Sequence, residues 1–251
     1  VRGLEKDGSG HVSALNVEDT LSGEKLTIRA RSILNATGIF GDSVRQMDEP
    51  TAPSILRPAQ GIHFVLDRSF LDGKHALLIP ETDDGRVLFA IPWHGHTLVG
   101  TTDTELSEAK LEPTALPEEI DYLLEHAGRF LAKQPKKEDI RSLWAGLRPL
   151  VKPPKDEGSS AELSRDHSIF VSDSGLITIA GGKWTTCRNM GEDAIDRAIQ
   201  VGELKPQPCR TRNHKLIPEP DAEGEPLHPN LPYTIGQVEH AIRQELCMTL
   251  E

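Results

Sequence analysis

The run Leu176-Ile177-Thr178-Ile179-Ala180-Gly181-Gly182-Lys183-Trp184-Thr185-Thr186 constrains this chain more than any other feature. An apolar strand enters a paired-glycine turn, which feeds a helix from about Thr185 to Val201. Glycines let the backbone approach a ligand closely, and the start of a helix presents unpaired N–H groups with partial positive charge. Such a strand end suits an anion or a cofactor, although spacing alone equally describes an ordinary strand-to-helix turn. Asn35-Ala36-Thr37-Gly38, closing the run that begins at Ile33, is a second small-residue strand end.

Most of the remaining pattern is β-like. Residues 1–38 read as a meander with strands at Val12–Val17, Lys25–Ala30 and Ser32–Ala36, separated by the turn residues Asp7-Gly8-Ser9-Gly10 and Ser22-Gly23-Glu24. Short apolar runs at Gly61–Leu66, Ala76–Ile79, Val87–Pro92 and Thr97–Gly100 predict an antiparallel sheet. Leu116-Pro117-Glu118-Glu119 opens a helix whose Ile120, Leu123, Leu124, Ala127 and Leu131 share one face, so that helix is expected to cover a sheet. Residues 152–168 read as an exposed loop leading into a polar strand. Pro206–Pro232 is a proline-rich connection before a last helix near Ile235–Leu250, and there is no internal repeat.

Composition narrows the class. In 251 residues, 37% hydrophobic content is enough for a real core, and a net charge of -11 excludes a general nucleic-acid binder, which needs clustered cations. Cys187, Cys209 and Cys247 are too few and too scattered for a disulfide scaffold or a four-ligand zinc site, which fits a reducing compartment. No run approaches the ~20 apolar residues needed to span a bilayer. The chain begins at Val1 and opens directly into a turn-rich β pattern, so it is read as a fragment.

A third signal is Trp144-Ala145-Gly146-Leu147-Arg148-Pro149, which puts a cation in an apolar stretch; Arg148 needs an anionic partner if buried, and a surface ion pair is the plainer reading. His94-Gly95-His96 has no third ligand nearby and reads as a loop between strands, so no metal site is expected. Lys133, Lys136 and Lys137 precede Glu138 and Asp139 and read as a solvated helix end.

Taken together and in order, these motifs resemble the aerobic-type, FAD-dependent glycerol-3-phosphate dehydrogenases. The resemblance rests on Asn35-Ala36-Thr37-Gly38, on Pro92-Trp93 followed by Gly100-Thr101-Thr102-Asp103-Thr104-Glu105, and on Ala145-Gly146-Leu147-Arg148-Pro149-Leu150. Ser164-Arg165-Asp166-His167 and Gly181-Gly182-Lys183-Trp184-Thr185-Thr186-Cys187-Arg188 complete it, covering roughly residues 1 to 200. It implies a mixed α/β plus α+β fold: part of a Rossmann-like FAD-binding domain with an inserted antiparallel-sheet substrate domain. On that reading residues 1–45 and 170–202 belong to the FAD domain, 46–169 form the substrate domain, and 203–251 are a linker and the start of a helical C-terminal domain.

The implied reaction oxidises glycerol 3-phosphate to dihydroxyacetone phosphate, with hydride passing to FAD and electrons to a quinone. The resemblance places Arg148, Arg165 and Lys183 on the substrate phosphate, where fork-shaped and point cations suit a dianion. His63, after Gln60-Gly61-Ile62, is the implied base, since an imidazole suits proton transfer near neutrality; a histidine that merely bonds a carbonyl is the competing reading. Arg148 and Lys183 would assist the chemistry electrostatically. Thr37 and Gly38 would lie near the adenosine or pyrophosphate, and Gly181, Gly182, Lys183, Trp184 and Thr185 near the isoalloxazine.

Two departures stand out. Cys187 and His167 replace an aromatic residue and a tyrosine expected from the resemblance. The only G-x-G, Gly8-Ser9-Gly10, sits in a hairpin turn and is no Rossmann fingerprint, so the fragment is expected to be inactive alone and its own FAD binding is open. The alternatives are another flavin-dependent amine or amino-acid oxidase of this architecture, or a non-catalytic fragment that does not bind FAD. A quinone acceptor further implies a cytoplasmic protein with peripheral contact to the cytoplasmic membrane, and a homodimer is compatible with the family.

Overall fold

The computed structural model describes residues 1–79, 82, 85–152, 166–214, 224–229, 231 and 233–249. The chain divides into two compact units, Val1–Gln207 and Pro208–Glu251.

In the first unit, β1 (Gly3–Lys6), β2 (Val12–Glu18) and β3 (Lys25–Arg29) form an antiparallel meander in that order. The Asp7 carboxylate organises its first turn by accepting the backbone N–H groups of Ser9 and His11. The expected third meander run behaves differently. β4 (Ile33–Asn35) leaves the meander and pairs in parallel with β12 (Leu176–Gly181), which is flanked on its other side by antiparallel β11 (His167–Val171). Burial explains the correction. Every residue of β3 is exposed, so another strand there would gain little, whereas Ile33 packs with Val12 and Leu176 in a closed apolar cluster.

A short helix that no strong periodicity announces, α1 (Gly41–Asp48), follows β4. The Asp42 carboxylate accepts the N–H groups of Ile55 and Leu56 and the Ser54 hydroxyl, fixing where the next strand starts. At the other end buried Asp48 accepts from Ser172 and Ser174 and pairs with Lys6 at 3.0 Å, tying α1 to β1 and to the β11–β12 hairpin.

The large sheet comprises β5 (Leu56–Asp67), β6 (Leu77–Ile79), β7 (Leu88–Trp93), β8 (His96–Gly100), β9 (Thr104–Glu105) and β10 (Ser142–Val151). Its order is β10-β5-β8-β7-β6, with β9 also pairing β5, and all neighbours are antiparallel. The four expected strands are present. β10 is added at one edge, where Pro149 is tolerated because an outer N–H is not needed. Alternation divides the sheet into two faces. Ile62, Phe64, Leu66, Leu88, Ala90 and Val99 are buried against Leu123, Leu124, Ala127 and Leu131, most of them on α2 (Pro117–Gly128), as the helix periodicity predicts. The opposite face carries Gly61, His63, Phe89, Gly100, Trp144 and Arg148, and Trp144 keeps 44% of its surface exposed.

Past β12, Trp184–Thr186 form a single 3-10 turn and α3 (Cys187–Val201) follows; the Arg31 guanidinium caps its C-terminal end on the carbonyls of Gly202 and Glu203. In the second unit α4 (Ile235–Gln244) is opened by a reciprocal cap: the Thr234 hydroxyl accepts the Gln237 N–H, and the Gln237 side chain accepts the Thr234 N–H. The last helix stops at Gln244, short of the expected Leu250, which lies outside the described residues. Most of the expected 152–168 loop lies outside them too. None of the three cysteines is in a disulfide, and all are exposed.

Candidate functional site

The open face of the large sheet brings His63 and Arg148 together. Trp144 stands directly opposite His63 on β10, and its ring lies nearly parallel to the imidazole at a centroid distance of 5.7 Å; Phe89 closes the other side at 5.6 Å. Gly100 is opposite His63 on β8, and a Cβ there would sit 2.2 Å from the imidazole Cδ2, so the ring occupies the space a side chain would take. Gly61 does the same for Arg148: a Cβ on it would lie 2.3 Å from a guanidinium nitrogen. The two glycines are floors under the imidazole and the guanidinium. Burial, and then the nearby Arg148 charge, push the His63 imidazole below its ordinary value of 6.5, so the ring is neutral at physiological pH and able to accept a proton.

Arg148 finds its anion in Asp103, at 3.1 Å, and also donates to the Thr101 hydroxyl at 3.1 Å and the Thr102 carbonyl at 3.0 Å. These three acceptors lie on a bulge. β8 ends with Gly100 opposite His63 and β9 resumes with Thr104 opposite Gln60, so residues 101–103 face only residues 61–62. The Ile62 N–H, left without a strand carbonyl, is taken by the Thr102 hydroxyl at 3.0 Å. Bulges of this kind re-aim side chains beside functional sites. The Gly100–Glu105 motif carries no role legible along the chain; only the register of two non-contiguous strands exposes the bulge.

The two glycine-bearing strand ends are neighbours. β4 and β12 run in parallel with Asn35 opposite Thr178, so Thr37-Gly38 and Gly181-Gly182 emerge from the same carboxyl edge of the sheet. Buried Asn35 shapes the first turn by accepting the Thr37 hydroxyl at 2.7 Å and donating to the Gly41 carbonyl at 2.9 Å. Gly38, Gly181 and Gly182 all hold positive φ, at 58°, 75° and 79°. A Cβ on Gly182 would lie 2.4 Å from the Met190 sulfur, while nothing approaches one on Gly38 within 4 Å. Lys183 and Thr185 are exposed, and Trp184 is 89% exposed. Paired glycine turns at the carboxyl ends of parallel strands, with backbone donors and an uncovered indole, fit the edge of a flavin dinucleotide. Gly181 lies against β10, since a Cβ on it would be 3.1 Å from a Val151 methyl carbon.

Of the residues expected to hold phosphate, Arg148 is on the open face and Lys183 is at the β12 turn, while Arg165 lies outside the described residues. His167 reaches Asp193 of α3 at 2.7 Å. His94 and His96 flank a β7–β8 hairpin, with the His94 carbonyl bonded to the His96 ring, and no metal-binding cluster occurs among the described residues.

A parallel-strand flavin edge joined to an antiparallel sheet defines a class of flavoprotein. The chain belongs to the FAD dependent oxidoreductase family, which matches residues 1–188. Within it the chain is 43% identical over 206 residues to the mitochondrial glycerol-3-phosphate dehydrogenase of Mesocricetus auratus, covering 81% of this chain and 28% of that protein. The Homo sapiens enzyme of the same name is 41% identical over the same coverage. A glycerol-3-phosphate dehydrogenase from Bacillus halodurans, solved in complex with FAD, superposes with a TM-score of 0.73 at 35% identity over 84% of this chain and 40% of that one. The chain thus spans well under half the length of these relatives.

Proposed function

We propose that this chain supplies the substrate-facing half of an FAD-dependent glycerol-3-phosphate dehydrogenase. The observation that carries the reading is the placement of a neutral, half-buried imidazole and a guanidinium on one open sheet face, each seated on a glycine. Identity to dehydrogenases of that name supports it. Arg148 orients the phosphate of glycerol 3-phosphate by charge-assisted hydrogen bonds, with Lys183 and Arg165 as further cations. A ring nitrogen of His63 takes the proton of the secondary hydroxyl as the carbinol becomes a ketone. Trp144 and Phe89 hold the imidazole in place and shed water from it. FAD, when bound along Thr37-Gly38 and Gly181–Thr185, supplies the hydride acceptor. Transfer of electrons onward to a quinone, peripheral attachment at the cytoplasmic membrane and a homodimeric state complete the proposal and rest on the family resemblance. Among the described residues no helix is long and apolar enough to cross a membrane.

The test is anaerobic addition of glycerol 3-phosphate to the flavin-loaded protein that carries this chain. Bleaching of the visible flavin band supports the assignment. A band that persists with glycerol 3-phosphate but bleaches with an amino acid assigns the site to an amino-acid oxidase instead.

A further inference from the structure

We propose that Glu119 is a positioning residue for Arg148, acting through the Thr101–Asp103 bulge. Its functional consequence rests on the role given to Arg148 above, but the mechanical link stands on geometry alone.

Glu119, in the first turn of α2, is 2% exposed. Among the described residues no lysine or arginine pairs with it; its two oxygens are met only by neutral donors. Oε1 accepts the hydroxyls of Thr102 and Thr104, both at 2.8 Å, while Oε2 accepts the Gln60 amide at 2.7 Å and the Leu116 N–H at 3.0 Å. Burial alone would raise this carboxyl, yet the four donors outweigh it and hold it below its ordinary value of 4.5, so it is ionised at neutral pH. Burying a charge without a counter-ion is costly, and a helix start needs only one such carboxylate oxygen on its N–H groups. The second oxygen is spent on the bulge.

The two threonines anchor that bulge at its centre and at its far end. Thr104 begins the strand after it, and Thr102 sits at its centre, its one hydroxyl proton committed to Glu119 and its lone pair to the Ile62 N–H. Asp103, between them, is the Arg148 counter-ion, and the Thr101 hydroxyl and Thr102 carbonyl take the other guanidinium nitrogen. All three bulge residues therefore receive Arg148, and Glu119 holds the bulge at its centre and where the strand resumes. Gly61, beneath the guanidinium, gives it room but no grip.

The test uses this chain labelled with 15N-arginine, without flavin or substrate, so that it stands or falls separately from the dehydrogenase reading. The Arg148 Nη–H signal is identified by its loss in Arg148→Lys. In Glu119→Gln, whose amide nitrogen no longer accepts, the Arg148 signal is expected to exchange with solvent about tenfold faster while the amides of β6 and β7 keep their protection. Thr102→Val is expected to do the same and Thr102→Ser to restore the slow rate, and this pair decides the matter if Glu119→Gln does not fold. Unchanged Arg148 exchange, or equal loss of protection across the whole sheet, overturns the proposal. In the flavin-loaded protein, Glu119→Gln is expected to raise KM for glycerol 3-phosphate more than it lowers kcat.

Discussion

His63 sits between two aromatic rings and above a glycine, and each neighbour acts on its proton. Desolvation by Trp144, Phe89 and the sheet disfavours the imidazolium, and the Arg148 charge disfavours it further. A titration of the His63 ring by NMR is expected to give a midpoint below 6.5, and Arg148→Met is expected to move it upward without restoring it fully, because burial is the larger cause. A midpoint at or above 6.5 in the unsubstituted chain contradicts this environment. Thr97 poses the opposite problem on the other face of the sheet: it is fully buried and, among the described residues, its hydroxyl has no partner. Thr97→Val removes the unsatisfied group at nearly constant volume and is expected to stabilise the chain by about 1 kcal/mol in urea unfolding. A loss of stability would mean that the hydroxyl is satisfied.

α2 is held to the sheet by a stripe that periodicity alone reveals, and the stripe gives a sharp contrast. Leu123 is fully buried in the main cluster, whereas Leu111, in the segment before α2, is 80% exposed. Leu123→Ala is expected to cost about 2–5 kcal/mol in chemical denaturation through lost burial and the cavity left behind, and Leu111→Ala to change little. What was legible in the sequence follows the same division. Elements with a clean period, such as α2, β2 and the strands of the hairpins, could be read because burial acts on every second, third or fourth residue. β10 could not, since Gly146, the charged Arg148 and Pro149 each break the apolar alternation. β4 is legible as a strand but reads as a third run of the meander, because so short a strand carries no information about which distant partner will bury it. The candidate site divides likewise: the glycine turns and Arg148 announce themselves locally, while the bulge, Gly61 as a floor and the second task of Glu119 depend on register between distant segments.

At the scale of the first unit, stability is tied to pH through a few buried or half-buried titratable groups that join its layers. Asp42 joins α1 to β5, Asp48 joins α1 to β1 and the β11–β12 hairpin, and Glu119 joins α2 to the bulge. For all three, burial raises the carboxyl but hydroxyl and backbone donors, with Arg45 at Asp42 and Lys6 at Asp48, outweigh it, so each lies below its ordinary value of 3.8 for the aspartates and 4.5 for Glu119. The unfolded chain then binds protons before the native one does, and their contribution, complete above those ordinary values, is lost as pH falls through the lower native values. His63 has the same sign for a different reason: its native midpoint is depressed, so its contribution is complete above 6.5 and declines as pH drops below that. Melting temperature is therefore expected to fall in two stages on acidification, a small one beginning near 6.5 and a steep one below 4.5. Asp48→Asn separates the causes. Its amide keeps one acceptor oxygen but cannot pair with Lys6, so it is expected to lower the melting temperature at neutral pH and to flatten the acid stage while leaving the stage near 6.5 intact. An acid stage of unchanged steepness in Asp48→Asn would show that these three seams do not govern the acid stability of the unit.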